Sequence, residues 1–302
     1  MSSNPITYTW SLTKVRIWLA MRNRTFLFFS LAMPLGFLFF FVMILNKGES
    51  VWTGYILGAI LTTTVMGSFW GLSVQLVTFR EAGILRRFRL APVGAGPMLA
   101  SSILANYILV VPSVLIEIVV AKWFLHMQSW GNLWAVFLLI TVGSAAFSAF
   151  GLIVASLTNT MQETQVINQI IWTGFLFLSG ATFPLAKFPH WIQRASLFMP
   201  ATYLATGLEA ATTNLATNAE VLTDVTALAL GILVAFEISR QLFRWEPEAK
   251  LPGSAKLWVL AAMIPFIAFG AYENVKGDRL VKVRQDFQML NNASMAPPKK
   301  PH

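Results

Sequence analysis

Cysteine is absent from the 302-residue chain, which excludes disulfides, thiolate metal sites and a cysteine nucleophile. Histidine is scarce: His126, His190 and His302 lie far apart, and no H-E-x-x-H or other close pair offers zinc a ligand face. Charged residues make up 12% of the chain, about half the share in a soluble domain. A G-x-x-x-x-G-K-[ST] loop is missing, so the chain cradles no nucleotide phosphates of its own. The G-x-S-x-G elbow of serine hydrolases is missing too.

Apolar residues instead make up 56%, with 24 Phe and 11 Trp, and mean hydropathy is +0.63. A water-soluble globule could not cover that much apolar surface with so little charge. The composition is that of a membrane protein.

About 20 apolar residues cross the hydrocarbon core as a helix. Six stretches qualify: Phe26 to Leu45, Val51 to Val77, Met98 to Phe124, Leu133 to Leu157, Val166 to Phe183 and Val225 to Phe243. A seventh, Leu257 to Tyr272, is short and carries Pro265; it is read as a candidate seventh span, crossing or deeply inserted. The fold class expected is an all-α polytopic membrane protein with six core transmembrane helices. The basic lead before the first span and the Asn46-Lys47 after it do not form a signal-peptide cleavage site, so that span is expected to remain as an anchor.

Lys and Arg set the orientation. Alternation of six helices puts twelve of them on one side, in the N-terminal lead, between spans two and three, and after span six. The other side receives Lys47, Lys122, Lys187 and Arg194. The N-terminus is therefore expected in the cytoplasm. Six further basic residues lie in the tail from Lys276 to Lys300, and a seventh crossing would place them outside, at twelve against ten. Tryptophans favour headgroup level, with Trp52, Trp123, Trp130, Trp134 and Trp191 at the outer interface and Trp10, Trp18, Trp245 and Trp258 at the inner one. Topology thus accounts for the net charge of +9, and no nucleic-acid partner is expected.

Two carboxylates fall within spans, Glu117 and Glu237, the latter three residues before Arg240. Small residues pattern span two (Gly54-x-x-x-Gly58, Gly67-x-x-x-Gly71) and span four (Ser144-x-x-x-Ser148, Gly151), a spacing that lets helices approach closely in lipid. The cytoplasmic stretch 79–97 combines four arginines with Glu81, Gly83 and Pro92. The stretch 184–224 is too apolar for a water-exposed loop; it carries Pro184, Pro189 and Pro200, follows a break at Ser179-Gly180, and reads as short helices folded back into the outer leaflet.

Two motifs carry a resemblance to a known family. Glu81-Ala-Gly83-Ile-Leu-Arg86-Arg87, with Arg89 and Pro92 after it, resembles the cytoplasmic coupling segment of type-2 ATP-binding-cassette exporter permeases. Ser179-Gly180-x-x-x-Pro184, Pro189 and Pro200-x-x-Tyr203 resemble that family's outer re-entrant region. The resemblance spans about Tyr8 to Trp245 and implies a connecting segment over 1–25, a transmembrane domain over 26–244 and an unusual extension over 245–302. It further implies a separate cytoplasmic ATPase subunit that carries ATP and Mg²⁺, no cofactor or metal on this chain, and a second copy of itself or a homologous permease. The expected place is a bacterial inner membrane, and the expected cargo a drug-like, lipid or polysaccharide substrate. A class working without ATP, an ion-driven secondary transporter or channel, would need mid-membrane ionisable groups and repeated halves. No repeat is evident.

Overall fold

The computed structural model describes residues 5–45, 51–89, 94–246 and 255–295, whose regular structure is helical throughout. The order is α1 (Pro5–Arg22), α2 (Arg24–Leu45), α3 (Val51–Glu81), a short α4 (Ile84–Arg89), α5 (Ala95–Trp123), α6 (Leu133–Leu157) and α7 (Met161–Leu178). A 3₁₀ turn at Leu185–Lys187 and two helices, α8 (His190–Ser196) and α9 (Pro200–Thr212), come next. The chain continues with α10 (Asn218–Leu242), α11 (Ala255–Ala262), α12 (Ile264–Val275) and α13 (Arg279–Met295). Among the described residues, α2, α3, α5, α6 and α10 are the five helices long and apolar enough to cross a membrane.

These five match expected spans one to four and six. Expected span five differs, because α7 begins at Met161 and stops at Leu178 instead of Phe183. Its first turns carry Gln162, Glu163, Gln165, Asn168 and Gln169, which lower its apolar character. Its end is set by the break at Ser179-Gly180, where Gly180 takes φ +99°, a left-handed conformation open to glycine without steric cost. The sixth span also starts earlier than Val225. Thr217 and Glu220 form a reciprocal capping box that begins α10 at Asn218.

Helices α3 and α6 form the centre, with α5, α9 and α10 packed around them. Close approach relies on small residues. A Cβ on Gly58 would lie 2.7 Å from the Glu209 Cα, and one on Gly151 would collide with the Phe69 carbonyl oxygen, so α9 and α6 rest directly on α3. Ser68 and Ser144 meet at 3.3 Å, and Asn106 donates to Ser148 Oγ at 2.9 Å, giving the α3–α5–α6 junction a polar seam. Gly67 and Gly71 face open space within this chain.

The bundle has two distinct ends. At one, Asn132 N–H donates to the Ala211 carbonyl at 2.7 Å, bringing together the starts of α3, α6 and α10 with the end of α9. At the other lie the ends of α3, α6 and α10 and the start of α7. The stretch Leu257 to Tyr272 is broken at Met263, with Pro265 in the first turn of α12. It runs back along α10: Phe266 packs on Gly231 and on the Phe150 and Tyr203 rings (centroids 5.8 and 6.1 Å), and Gly270 abuts the Leu197 carbonyl. The chain thereby returns to the first end, where α13 docks.

Candidate functional site

The segment expected to couple to a partner is built where α3 ends. Helix α6 terminates at Leu157, leaving its last carbonyls without intrahelical donors and carrying the negative end of its dipole. Arg80, only 1% exposed, donates to the Ala155 carbonyl at 2.9 Å and to the Thr158 carbonyl. Arg244 donates to the carbonyls of Ser156 (2.9 Å) and Thr158 (3.0 Å) and to Asn159 Oδ1 (2.8 Å). The adjacent Glu81 does the opposite, accepting the Met161 N–H at 3.1 Å at the positive start of α7. Neighbouring residues of opposite sign thus hold opposite helix ends.

Gly83 takes φ +68° with open space around its Cα, turning the chain from α3 into α4. Leu85 is buried with Leu72, Leu76, Val77, Met98, Leu99 and Leu152, anchoring α4 to the bundle. Arg86 and Arg87 point away from this core and are exposed. Arg86 lies 3.9 Å from Glu246, a loose pair with its guanidinium side chain 78% exposed and so of small energetic weight. The Arg89 side chain and Pro92 lie outside the described residues.

The residues of the expected re-entrant region are brought together. Ser179 Oγ accepts the Ala181 N–H at 3.2 Å and turns the chain after α7. Pro184 and Pro189 precede the 3₁₀ turn and α8, and Pro200 opens α9. Tyr203 is fully buried and donates from its hydroxyl to the Leu197 carbonyl at 2.7 Å, tying α9 to the end of α8. Nearly every residue of α9 is buried, against α3, α6 and α10.

The two carboxylates singled out from sequence separate. Glu117 is 1% exposed and receives hydrogen bonds from Thr64 Oγ1 at 2.9 and 3.2 Å. Glu237 is partly exposed and pairs with Arg240 at 2.8 Å on its own helix face.

A further cluster was not anticipated from sequence. Arg279 is 8% exposed, pairs with Asp224 at 2.5 Å and Glu273 at 3.6 Å, donates to Thr206 Oγ1 at 2.9 Å, and lies over the Tyr203 ring. Its partners come from α9, α10 and α12, so no local spacing signals it. The T-x-x-E at Thr217, which places Asp224 two turns inside α10, was the available clue.

Near it, Asp286 of α13 faces a narrow chamber walled by Tyr55, Leu185, Thr206, Glu209 and Phe287. Burial pushes the Asp286 carboxyl up to about 6; Glu220 adds to the rise and Lys282 opposes it. A folded-state pKa above the ordinary value favours folding with the proton bound, so this contribution is full in acid and is lost as pH rises through 6. Amide hydrogen exchange should therefore show α13 better protected at pH 5 than at pH 7. Asp286→Asn should flatten that difference.

A family model described as ABC-2 type transporter matches residues 7–212, from α1 to the last residue of α9. The chain belongs to the ABC-2 type transporter family: it is a transport permease with several membrane-spanning helices. A similar protein is "Putative transport permease YvfS" of Bacillus subtilis (strain 168), 23% identical over 199 residues, which covers 62% of this chain and 78% of the relative.

Proposed function

We propose that this chain is the membrane subunit of an ATP-driven exporter of a bacterial inner membrane, with its N-terminus in the cytoplasm. A separate ATPase subunit docks on α4. Two membrane subunits, copies or homologues, enclose the path for a drug-like, lipid or polysaccharide cargo. The observation that carries this reading is the join between α4 and the bundle. Exposed Arg86 and Arg87 stand beyond a glycine turn whose preceding residues, Arg80 and Glu81, grip the end of α6 and the start of α7.

ATP-driven closure of the partner would displace α4 and, through residues 80–81, pull on α7. Helix α7 leads directly into the re-entrant break at Ser179-Gly180, so the same pull reaches the outer barrier formed by α8 and α9. Arg86 and Arg87 suit carboxylates on the partner, since guanidinium groups bind them bidentately.

Charge reversal of both (Arg86→Glu with Arg87→Glu) should reduce transport in inverted vesicles by at least tenfold while membrane insertion is retained. Transport at the parental rate would sink the assignment of α4. An ion-driven mechanism would instead centre on Glu117, the buried membrane carboxylate held by Thr64. It would show as transport that needs an ion gradient and is lost in Glu117→Gln.

A further inference from the structure

The C-terminal extension lies beyond the matched family region yet makes the densest set of ionic contacts among the described residues, all at the re-entrant end of the bundle. Arg279 at the start of α13 enters the buried site made by Asp224, Glu273, Thr206 and the Tyr203 ring. One turn on, Lys282 pairs with Glu220 at 3.0 Å. Arg284 then reaches α8, donating to Gln193 Oε1 at 2.5 Å and meeting His190 Nδ1 at 2.6 Å. Phe287 packs edge-on against Trp52 of α3 at 5.6 Å between centroids, with the Lys187 ammonium 5.4 Å from the centroid of its ring.

One helix therefore binds the start of α3, the start of α10, the 3₁₀ turn, α8 and, through Arg279, α9. We propose that α13 is an outer latch: its docking holds the re-entrant helices closed, and the barrier opens only when α13 lifts. Arg279 is the pin. Its removal leaves two buried carboxylates facing each other without a cation, which is costlier than never having had the pair. The other contacts are more exposed and individually weaker, so they guide docking more than they hold it. Tyr203 joins the two systems, since one face of its ring supports Arg279 while its hydroxyl ties α9 to α8. The latch rests on the re-entrant region being the moving barrier of the proposed exporter.

The absence of cysteine allows a direct test in the full chain. Two single-cysteine reporters are placed, Ala186→Cys in the chamber beneath α13 and Ala181→Cys, buried at the break after α7. Each is labelled with a membrane-impermeant maleimide in proteoliposomes, with and without Arg279→Gln. The latch predicts at least tenfold faster labelling at both positions on release. Faster labelling at 186 alone means the helix leaves and the barrier stays shut, which overturns the proposal.

If neither rate changes, Arg279→Gln is combined with Lys282→Gln and Phe287→Ala, and unchanged rates there overturn it too. The exporter reading is judged separately, by whether ATP with the partner ATPase alters labelling at 181 in the otherwise unaltered chain. A release effect without an ATP effect keeps the latch and counts against the exporter.

Discussion

Replacing Arg80 by alanine is expected to lower the stability of the permease by about 3 kcal/mol and to loosen the hold of the α3–α4 junction on the end of α6. Hydrogen bonds to a charged group contribute about 1.5–3 kcal/mol each, and Arg80 makes two, to Ala155 and Thr158, at the end of α6. Arg244 keeps Thr158 partly satisfied, so the loss falls short of the full sum. Lysine at position 80 should recover about half, since an ammonium cannot span both carbonyls as a guanidinium fork does. Thermal unfolding in mild detergent reads the stability. Paired transport and ATPase-binding assays read the coupling: the partner should still bind, while transport falls. An Arg80→Ala chain of parental stability would mean that the α6 terminus is satisfied in another way.

The second large effect concerns Gly58. A methyl group there would sit 2.7 Å from the Glu209 Cα and 2.8 Å from the Glu209 backbone nitrogen, and backbone cannot step aside as a flexible side chain can. Gly58→Ala should cost about 2–3 kcal/mol, the upper range for overpacking a tight interface, and Gly58→Leu should prevent α9 from seating at all. Gly67→Ala is the matched control, because a Cβ at that position meets nothing within 4 Å. Its unfolding should be unchanged or slightly later. Equal losses at both glycines would contradict the seating of α9 on α3.

The contrast between those glycines shows where sequence reasoning reached its limit. Both G-x-x-x-G pairs in span two look alike on paper, and only the packing of α9 tells them apart. Five of the six expected spans were legible because bilayer thickness demands long apolar runs, which leave a plain one-dimensional record. The end of the fifth was not legible because Phe175 to Phe183 stays largely apolar across the helix break. The backbone turn at Gly180, not hydrophobicity, sets that end.

Arg86 and Arg87 and the prolines at 184, 189 and 200 are recognisable in the sequence as parts of motifs. Glu81 is legible as part of a motif, but its hydrogen bond with the Met161 N–H, 80 residues away, is not. The Arg279 cluster was out of reach for the same reason. Asp224 marks the end of the expected re-entrant stretch, and nothing in the sequence of the tail shows that α12 runs back along α10.

The most direct test of the central claim is purification of the tagged chain from its native host in mild detergent, with assay for a co-purifying ATPase. A cytoplasmic-type ATPase subunit should be found bound to the unaltered chain and to Glu81→Gln, and lost from the Arg86→Glu, Arg87→Glu double variant. Glu81 holds α7 inside this chain, whereas the two arginines face outward. Repeated recovery of the chain without any ATPase, or equal recovery from the unaltered chain and the double variant, would contradict it.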